Sequence, residues 1–199
     1  MVSLAAARIK KELKELMDSS KVDNSQIDIQ IAGDNLMHLV GTIFGPPDTA
    51  YEGAKYKLKI DIPDSYPFSP PVVKFINKIW HPNISSVTGV ICLDILKNQW
   101  AAAMSLRTIL LSIQALLDDP QPDDPQDAVV ANQYKTNKKL FYETAKHWAN
   151  VYADGPHKNE EFDSMVKNIV DMGFSIEQAR TALSTKNWDL TEAVKNLLP

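Results

Sequence analysis

The sequence predicts an α+β fold: a four-stranded antiparallel meander with about four helices forms a first unit, and a three-helix bundle forms a second. Three patterns lead to it. Apolar residues recur at helical spacing near the start, alternate from Gln26, and return to helical spacing after Ser105. Ten of the twelve prolines lie between Pro46 and Pro125, which fixes the middle of the chain in turns and extended segments. Beyond Ala153–Asn159, where periodicity breaks, every pattern is helical.

Taken in order, Ile9, Leu13, Leu16 and Met17 make one apolar stripe, with Arg8, Lys10, Lys11 and Lys14 on other faces, so the first element is an amphipathic helix. Ile27, Ile29 and Ile31 alternate with polar neighbours as a first strand. Leu36–Phe44 is the second, bounded by Gly33-Asp34-Asn35 and Gly45-Pro46-Pro47. Tyr56, Leu58, Ile60 and Ile62 alternate with Lys55, Lys57, Lys59 and Asp61 as the third, and Val72–Ile76 follows a Pro-rich turn as the fourth. Short turns between the four favour antiparallel pairing. Ser105 caps a helix whose Ile109, Leu110, Ile113, Leu116 and Leu117 form a broad apolar face, and helices follow near 128–135 and 138–152. Gly155 followed by Pro156 marks a helix end and a boundary. The expected organisation is therefore a core over 1–153, a linker over 154–159 and a bundle over 160–199. Within the bundle, helices are expected over Phe162–Met172, Ser175–Ser184 and Asp189–Leu198, with capping boxes at Ser175/Gln178 and Asp189/Glu192.

Composition narrows the function. Against 25 Asp+Glu stand 21 Lys+Arg, a net charge of −4, so no overall basic field favours nucleic acid or anionic membrane. Mean hydropathy of −0.23 and the lack of an apolar run near the ~18 residues of a membrane span point away from the bilayer. The opening segment's apolar stretch, Leu4–Ala7, is too short for a secretory signal. A single cysteine, Cys92, excludes an intrachain disulfide and a thiolate metal cage; no metal is expected, and a reducing compartment, cytoplasmic and also nuclear, is.

Cys92 shares its parity with Asp94, opposite to Ile91, Leu93 and Ile95, so an extended stretch that buries the isoleucines turns the sulfur outward. Parity alone leaves function and core packing evenly balanced, because free cysteine is often a small buried hydrophobe. Around it stand His81-Pro82-Asn83, the Ser85–Gly89 turn and Leu93-Asp94-Ile95-Leu96, with Tyr66-Pro67-Phe68-Ser69-Pro70-Pro71 upstream and Trp100 downstream. In this order, from about Arg8 to Tyr152, the chain resembles the ubiquitin-conjugating enzyme family. That resemblance implies the conjugating core fold, and that Cys92 accepts ubiquitin's C-terminal carboxyl as a thioester from the activating enzyme and passes it to lysine. A thiol suits such an exchange, which needs no strong base. Attack by an amine builds charge on the carbonyl oxygen, and by resemblance Asn83 supplies the amide donor that stabilises it. His81 and Pro82 are scaffold by the same comparison. The resemblance also implies that Asp124, with Asp123 beside it, flanks the gate where an incoming ammonium is oriented, and Lys97 lies close enough in sequence to support the site's electrostatics.

The resemblance also places activating-enzyme and ligase contacts on Arg8, Lys11, Phe68 and the loop from Trp100 to Ala103, Ala102 included. RING-type ligases are the implied class; Ala101-Ala102-Ala103 stands where many relatives carry Ser-Pro-Ala. Met172-Gly173-Phe174, with Leu197-Leu198 closing the last helix, resembles a ubiquitin-associated (UBA) domain, which implies ubiquitin binding through Met172, Gly173, Phe174 and Leu198. With this tail, and with nine positions from Asn83 to Cys92, the chain resembles the huntingtin-interacting branch of the family. The branch implies polyubiquitin synthesis through lysine forty-eight of ubiquitin, with polyubiquitin or substrate proteins as acceptors. ATP is then consumed by the activating enzyme, and no cofactor is bound here. Two other readings stand beside it: a cysteine hydrolase pairing Cys92 with His81 or His147, and a noncatalytic ubiquitin-binding adapter.

Overall fold

The computed structural model describes residues 3–19 and 27–198; Met1, where the opening segment begins, and Gln26, where the alternation begins, lie outside the described residues. Helix α1 (Leu4–Ser19) buries Ala5, Ile9 and Leu16 on one face. Met17 does not share that face: it is 66% exposed, and Glu12 occupies the buried phase instead. Four strands follow, β1 (Ile27–Ile31), β2 (His38–Phe44), β3 (Lys55–Asp61) and β4 (Val72–Phe75), in a single antiparallel sheet of order β1-β2-β3-β4. Alternation is clean in β3, whose Tyr56, Leu58 and Ile60 are buried while its lysines face out. Those three pair with Ile43, Gly41 and Leu39 of β2. On edge strand β1, which among the described residues pairs only with β2, the pattern fades from buried Ile27 to exposed Ile31.

Helix α2 (Leu106–Asp118) packs its expected apolar face on the sheet, its N-terminus capped by Ser105, whose side chain accepts from the Thr108 amide. Full burial of each such leucine or isoleucine contributes about 1.5–3 kcal/mol. Helices α3 (Ala128–Thr136) and α4 (Lys138–Ala153) complete the first hydrophobic cluster. The residue in left-handed conformation at the end of α4 is Asp154, φ 55°, rather than Gly155. Gly155 is needed for a different reason: a Cβ there would lie 3.0 Å from the Ala149 carbonyl carbon, beside the hydrogen bond from Gly155 N to Ala149 O.

Helices α5 (Glu160–Asp171), α6 (Ile176–Thr185) and α7 (Leu190–Leu197) form a bundle around a second cluster that includes Phe162, Ile169, Leu183 and Trp188. Ser175 and Gln178 make the full capping box. Asp189 supplies only half of one, accepting from the Glu192 amide while the Glu192 carboxylate pairs with Lys195. The bundle is docked on the core through a polar seam that contains Gln133, Thr144, His147, Arg180 and Ser184, all buried. Among the described residues no helix is long and apolar enough to cross a membrane.

Candidate active site

The segment from Trp80 to Cys92 is held by short-range pairing. Ile84 bridges both His81 and Ile91, and the Cys92 amide donates to Asn83 O at 2.8 Å. Gly89 turns this segment with φ 70°, its backbone so close to Phe75 that a Cβ would sit 2.2 Å from the Phe75 carbonyl oxygen. After Leu93 the chain leaves the extended path: Asp94–Leu96 is a 3-10 turn, so the alternation read through Ile95 ends early. Leu93 and Ile95 are nonetheless both half-buried against the core, and Cys92 is half-exposed.

The thiol faces a cavity of about 150 Å³ lined by Asn83, Leu93, Leu116, Gln121 and Asp124. The Lys97 ammonium lies 3.6 Å from Cys92 Sγ, and the nearer Asp124 carboxylate oxygen 3.9 Å. Asp123 turns the other way, to Lys135 on α3 at 2.7 Å. Among the described residues no group of three or more histidine, cysteine or acidic side chains could hold a metal.

His81 is sealed in the core, where burial pushes its imidazole down to about 3. Its Nδ1 accepts from the Asn83 amide at 3.0 Å, so the neutral ring carries its proton on Nε2 and donates it to Leu116 O at 3.0 Å. Neither nitrogen is left for the thiol. His147 is equally buried and sits in the seam, where Arg180 Nε donates to its Nε2; it does not line the cavity at Cys92. Asn83 is buried with its amide fully engaged. Nδ2 donates to Gln121 O at 2.9 Å and Asp124 O at 3.0 Å, while Oδ1 accepts from Gln121 N at 2.8 Å. At rest this amide binds the acidic segment to the cysteine segment. Pro82 adds to the same junction, its carbonyl accepting from the amides of Gln126 and Asp127. Gln121 and Asp127, which sequence reading passed over, are thus integral to the site; Asp127 also caps α3 and accepts from Ser86 N and Oγ. For Asp127 the signal was available in kind, since Asp before a helical run is a capping pattern; Gln121 is bound through its backbone, which no side-chain pattern reports.

The expected partner surface is stitched together by hydrogen bonds. Arg8 donates to Met104 O at 3.1 Å, and Trp100 Nε1 donates to Pro67 O at 2.8 Å, joining α1, the 97–104 loop and the 66–68 loop. Phe68 projects from this framework 73% exposed, and Ala102 and Lys11 are exposed. Arg8 is less free than Lys11: its Nε pairs with Glu12 at 2.5 Å. Glu12, missed in the sequence, is only 3% exposed and also accepts from Tyr66 Oη and Leu106 N, both at 2.8 Å. Its place in the phase of Ala5, Ile9 and Leu16 was the available clue. In the bundle, Met172 and Leu198 are each 56% exposed, Gly173 turns at φ 102°, and Phe174 is half-buried against the second cluster.

A site with a reachable thiol, an ammonium and a carboxylate, but no available histidine, suits acyl exchange between thiols better than base-assisted attack by water. Comparison with known proteins agrees. A family model described as ubiquitin-conjugating enzyme matches residues 8–149. The chain is 55% identical to the Homo sapiens protein named ubiquitin-conjugating enzyme E2 K, across 100% of this chain and 99% of that one. It is also 55% identical to Drosophila melanogaster ubiquitin-conjugating enzyme E2-22 kDa, across 99% of each. A crystal structure described as a ubiquitin conjugating enzyme from Plasmodium yoelii superposes with a TM-score of 0.73 at 52% identity, covering 78% of this chain and 99% of that one.

Proposed function

The chain belongs to the ubiquitin-conjugating enzyme family, and from that premise we propose that Cys92 carries ubiquitin as a thioester and delivers it to lysine, extending polyubiquitin through lysine forty-eight of ubiquitin. The observation that carries this reading is half-exposed Cys92 lining a cavity walled by Asn83, Leu116 and Asp124, which we take as the place of ubiquitin's extended C-terminal tail. In loading, the Cys92 thiolate attacks the carbonyl of ubiquitin held on the activating enzyme. A new C–S bond forms, the old one breaks, and the donor sulfur leaves as thiolate. Lys97 supports this step by placing positive charge 3.6 Å from Sγ. In transfer, a neutral lysine amine attacks the same carbonyl; C–N forms, C–S breaks, and the sulfur regains a proton while the amine's surplus proton passes to solvent. Asp124 orients the incoming ammonium before it deprotonates. Asn83 holds the 121–124 segment at rest and gives one Nδ2–H to the oxyanion as it releases a carbonyl acceptor.

ATP is spent by the activating enzyme, with no cofactor on this chain. Phe68, Trp100 and Ala102, flanked by Arg8 and Lys11, form the face for the activating enzyme and RING-type ligases. Met172, Gly173, Phe174 and Leu198 form a second, noncovalent ubiquitin surface. An unpaired Cys92 fits work in the cytoplasm and nucleus. Incubation with activating enzyme, ATP and ubiquitin is expected to give an adduct cleaved by dithiothreitol, and Cys92→Ser an adduct that resists it. Failure of the wild-type chain to form a thiol-labile adduct would refute the reading.

A further inference from the structure

Gln133 is a side chain that neither the reaction nor its partners have accounted for. It lies on α3, 2% exposed, with each end of its amide committed to a different part of the molecule. Oε1 accepts from Trp80 Nε1 at 2.7 Å; Nε2 donates to Ser184 O at 3.3 Å and Asn187 Oδ1 at 3.0 Å, both on the C-terminal bundle. A planar amide cannot turn one end without turning the other. If the bundle shifts, the two Nε2 donors lose their acceptors in a buried place, and the orientation that serves Trp80 is no longer held.

Trp80 stands immediately before His81-Pro82-Asn83. Its carbonyl accepts from Tyr51 Oη at 2.8 Å, and its ring lies 4.9 Å from that of Trp148, whose Nε1 donates to Ser184 Oγ. Two adjacent core indoles are therefore pinned by the same end of α6. Helix α3 makes the link in a second way: its cap, Asp127, is bound to the Pro82 carbonyl and to Ser86, and its Lys135 holds Asp123. The bundle side is built to match. Asn187 and Trp188 are consecutive non-glycine residues in left-handed conformation, φ 53° and 60°, a strained turn secured by Asn187 on Gln133 and by Trp188 Nε1 on Thr144 Oγ1 at 2.9 Å.

We propose that Gln133 is a positioning residue for the transfer step: through Trp80 and α3 it relays the docked state of the C-terminal bundle to Asn83 and Asp124. This rests on the conjugating function proposed above and adds to it a route by which the bundle acts on the site without touching substrate. The mechanical steps are few, since only Trp80, His81 and Pro82 separate the clasp from Asn83, and the His81 ring is locked at both nitrogens.

The test uses the full chain, preloaded with ubiquitin and chased with the free amino acid lysine, so that ubiquitin binding by the bundle has no part in the acceptor step. Gln133→Leu is expected to slow discharge about 3- to 30-fold while loading changes less than twofold. Asn187→Gly keeps the backbone turn but loses Oδ1 and is expected to fall between wild type and Gln133→Leu, whereas Gln133→Glu, which keeps an acceptor for Trp80 but sets a buried carboxylate oxygen against Ser184 O and Asn187 Oδ1, is expected to slow discharge at least as much as Gln133→Leu. Backbone amide exchange at Asn83 and Cys92 is expected to quicken in the same order. Unchanged discharge in Gln133→Leu, or equal losses in loading and discharge, would overturn the proposal. A wild-type chain that never loads would refute the conjugating function instead; amide exchange then decides the relay, faster at Asn83 in Gln133→Leu supporting it and unchanged rates rejecting it.

Discussion

Around Cys92 buried polar groups hold loops in place, whereas along the seam with the C-terminal bundle they hold two packed bodies together. Asn83 and Gln133 show the difference with one chemistry. Both are buried amides with three hydrogen bonds. Asn83 spends all three on a single segment, 121–124, within the core. Gln133 divides its own between Trp80 of the core and α6–α7 of the bundle. A fully satisfied buried amide adds only a modest net stability, about 0.5–1.5 kcal/mol per bond, but leaving its partners unmet costs about 1–3 kcal/mol each. Such groups therefore specify arrangement more than they add strength: the active-site amide specifies a local geometry, the seam amide a relative placement.

The largest expected effect lies on the active-site side. Asn83→Ala removes one of the two side-chain amides that, among the described residues, line the thiol's cavity, the other being Gln121. If Asn83 donates to the oxyanion, discharge to lysine falls by ~10²–10³ while thioester loading falls far less. Single-turnover loading and discharge, measured separately, check this. Equal losses in both steps would reduce Asn83 to a loop support with no role particular to transfer.

How much of this was readable beforehand differs between the two regions. The strands were legible because β2 and β3 alternate against one inner face, and the helices because Ser105, Ser175 and Asp189 cap them as their side chains predict. At the site, Asn83, His81 and Cys92 lie close in sequence, and their motif carried the reading. Asp124, 32 positions after Cys92, reached the thiol only through family resemblance, because no local period reports a contact made by a loop. The seam was not legible. Gln133 and Arg180 read as ordinary polar positions on amphipathic helices and His147 only as a hydrolase partner for Cys92; only the packing of a second body on them makes their burial necessary. Glu12 went unread for a related cause: a carboxylate in an apolar phase looks like an interruption until Arg8, Tyr66 and Leu106 surround it.

Acid should separate the regions at an intermediate scale. His147, in the seam, is pushed down to about 4 by burial, with Arg180 adding to the fall and Asp163 opposing it. Above pH ~6.5 the ring is neutral folded and unfolded, and contributes no pH dependence. As pH falls from ~6.5 toward 4, the unfolded chain takes up a proton that the folded chain does not, so stability drops by up to about 1.4 kcal/mol per pH unit. His81 adds a similar penalty that extends to about 3. His147→Gln, which keeps an acceptor for Arg180, is expected to flatten the decline of Tm with acid between pH 6.5 and 4 and leave the His81 portion. Parallel Tm curves for wild type and variant would show that the seam does not carry its share.

The smallest effect belongs to the seam's rim. Burial opposes ionisation of Glu177, but hydrogen bonds from Lys78 and Tyr152 and the charges of Lys78 and Arg180 outweigh it and hold the carboxyl below its ordinary range. Its stabilisation is therefore present above the usual carboxylate pKa and lost as pH falls through the depressed one, a lower window than that of His147. The side chain is 45% exposed, so solvent screens much of this, and Glu177→Gln is expected to cost less than about 1 kcal/mol, a Tm shift of no more than roughly 2–4 °C. At 1 M salt, where screening acts over about 3 Å, the difference should shrink further. Thermal melts of both chains at low and high salt measure it. A loss in Glu177→Gln as large as that in Gln133→Leu, and insensitive to salt, would mean that the rim charge rather than the buried amide holds the bundle, and the contrast between seam and active site would have to be redrawn around Lys78 and Arg180.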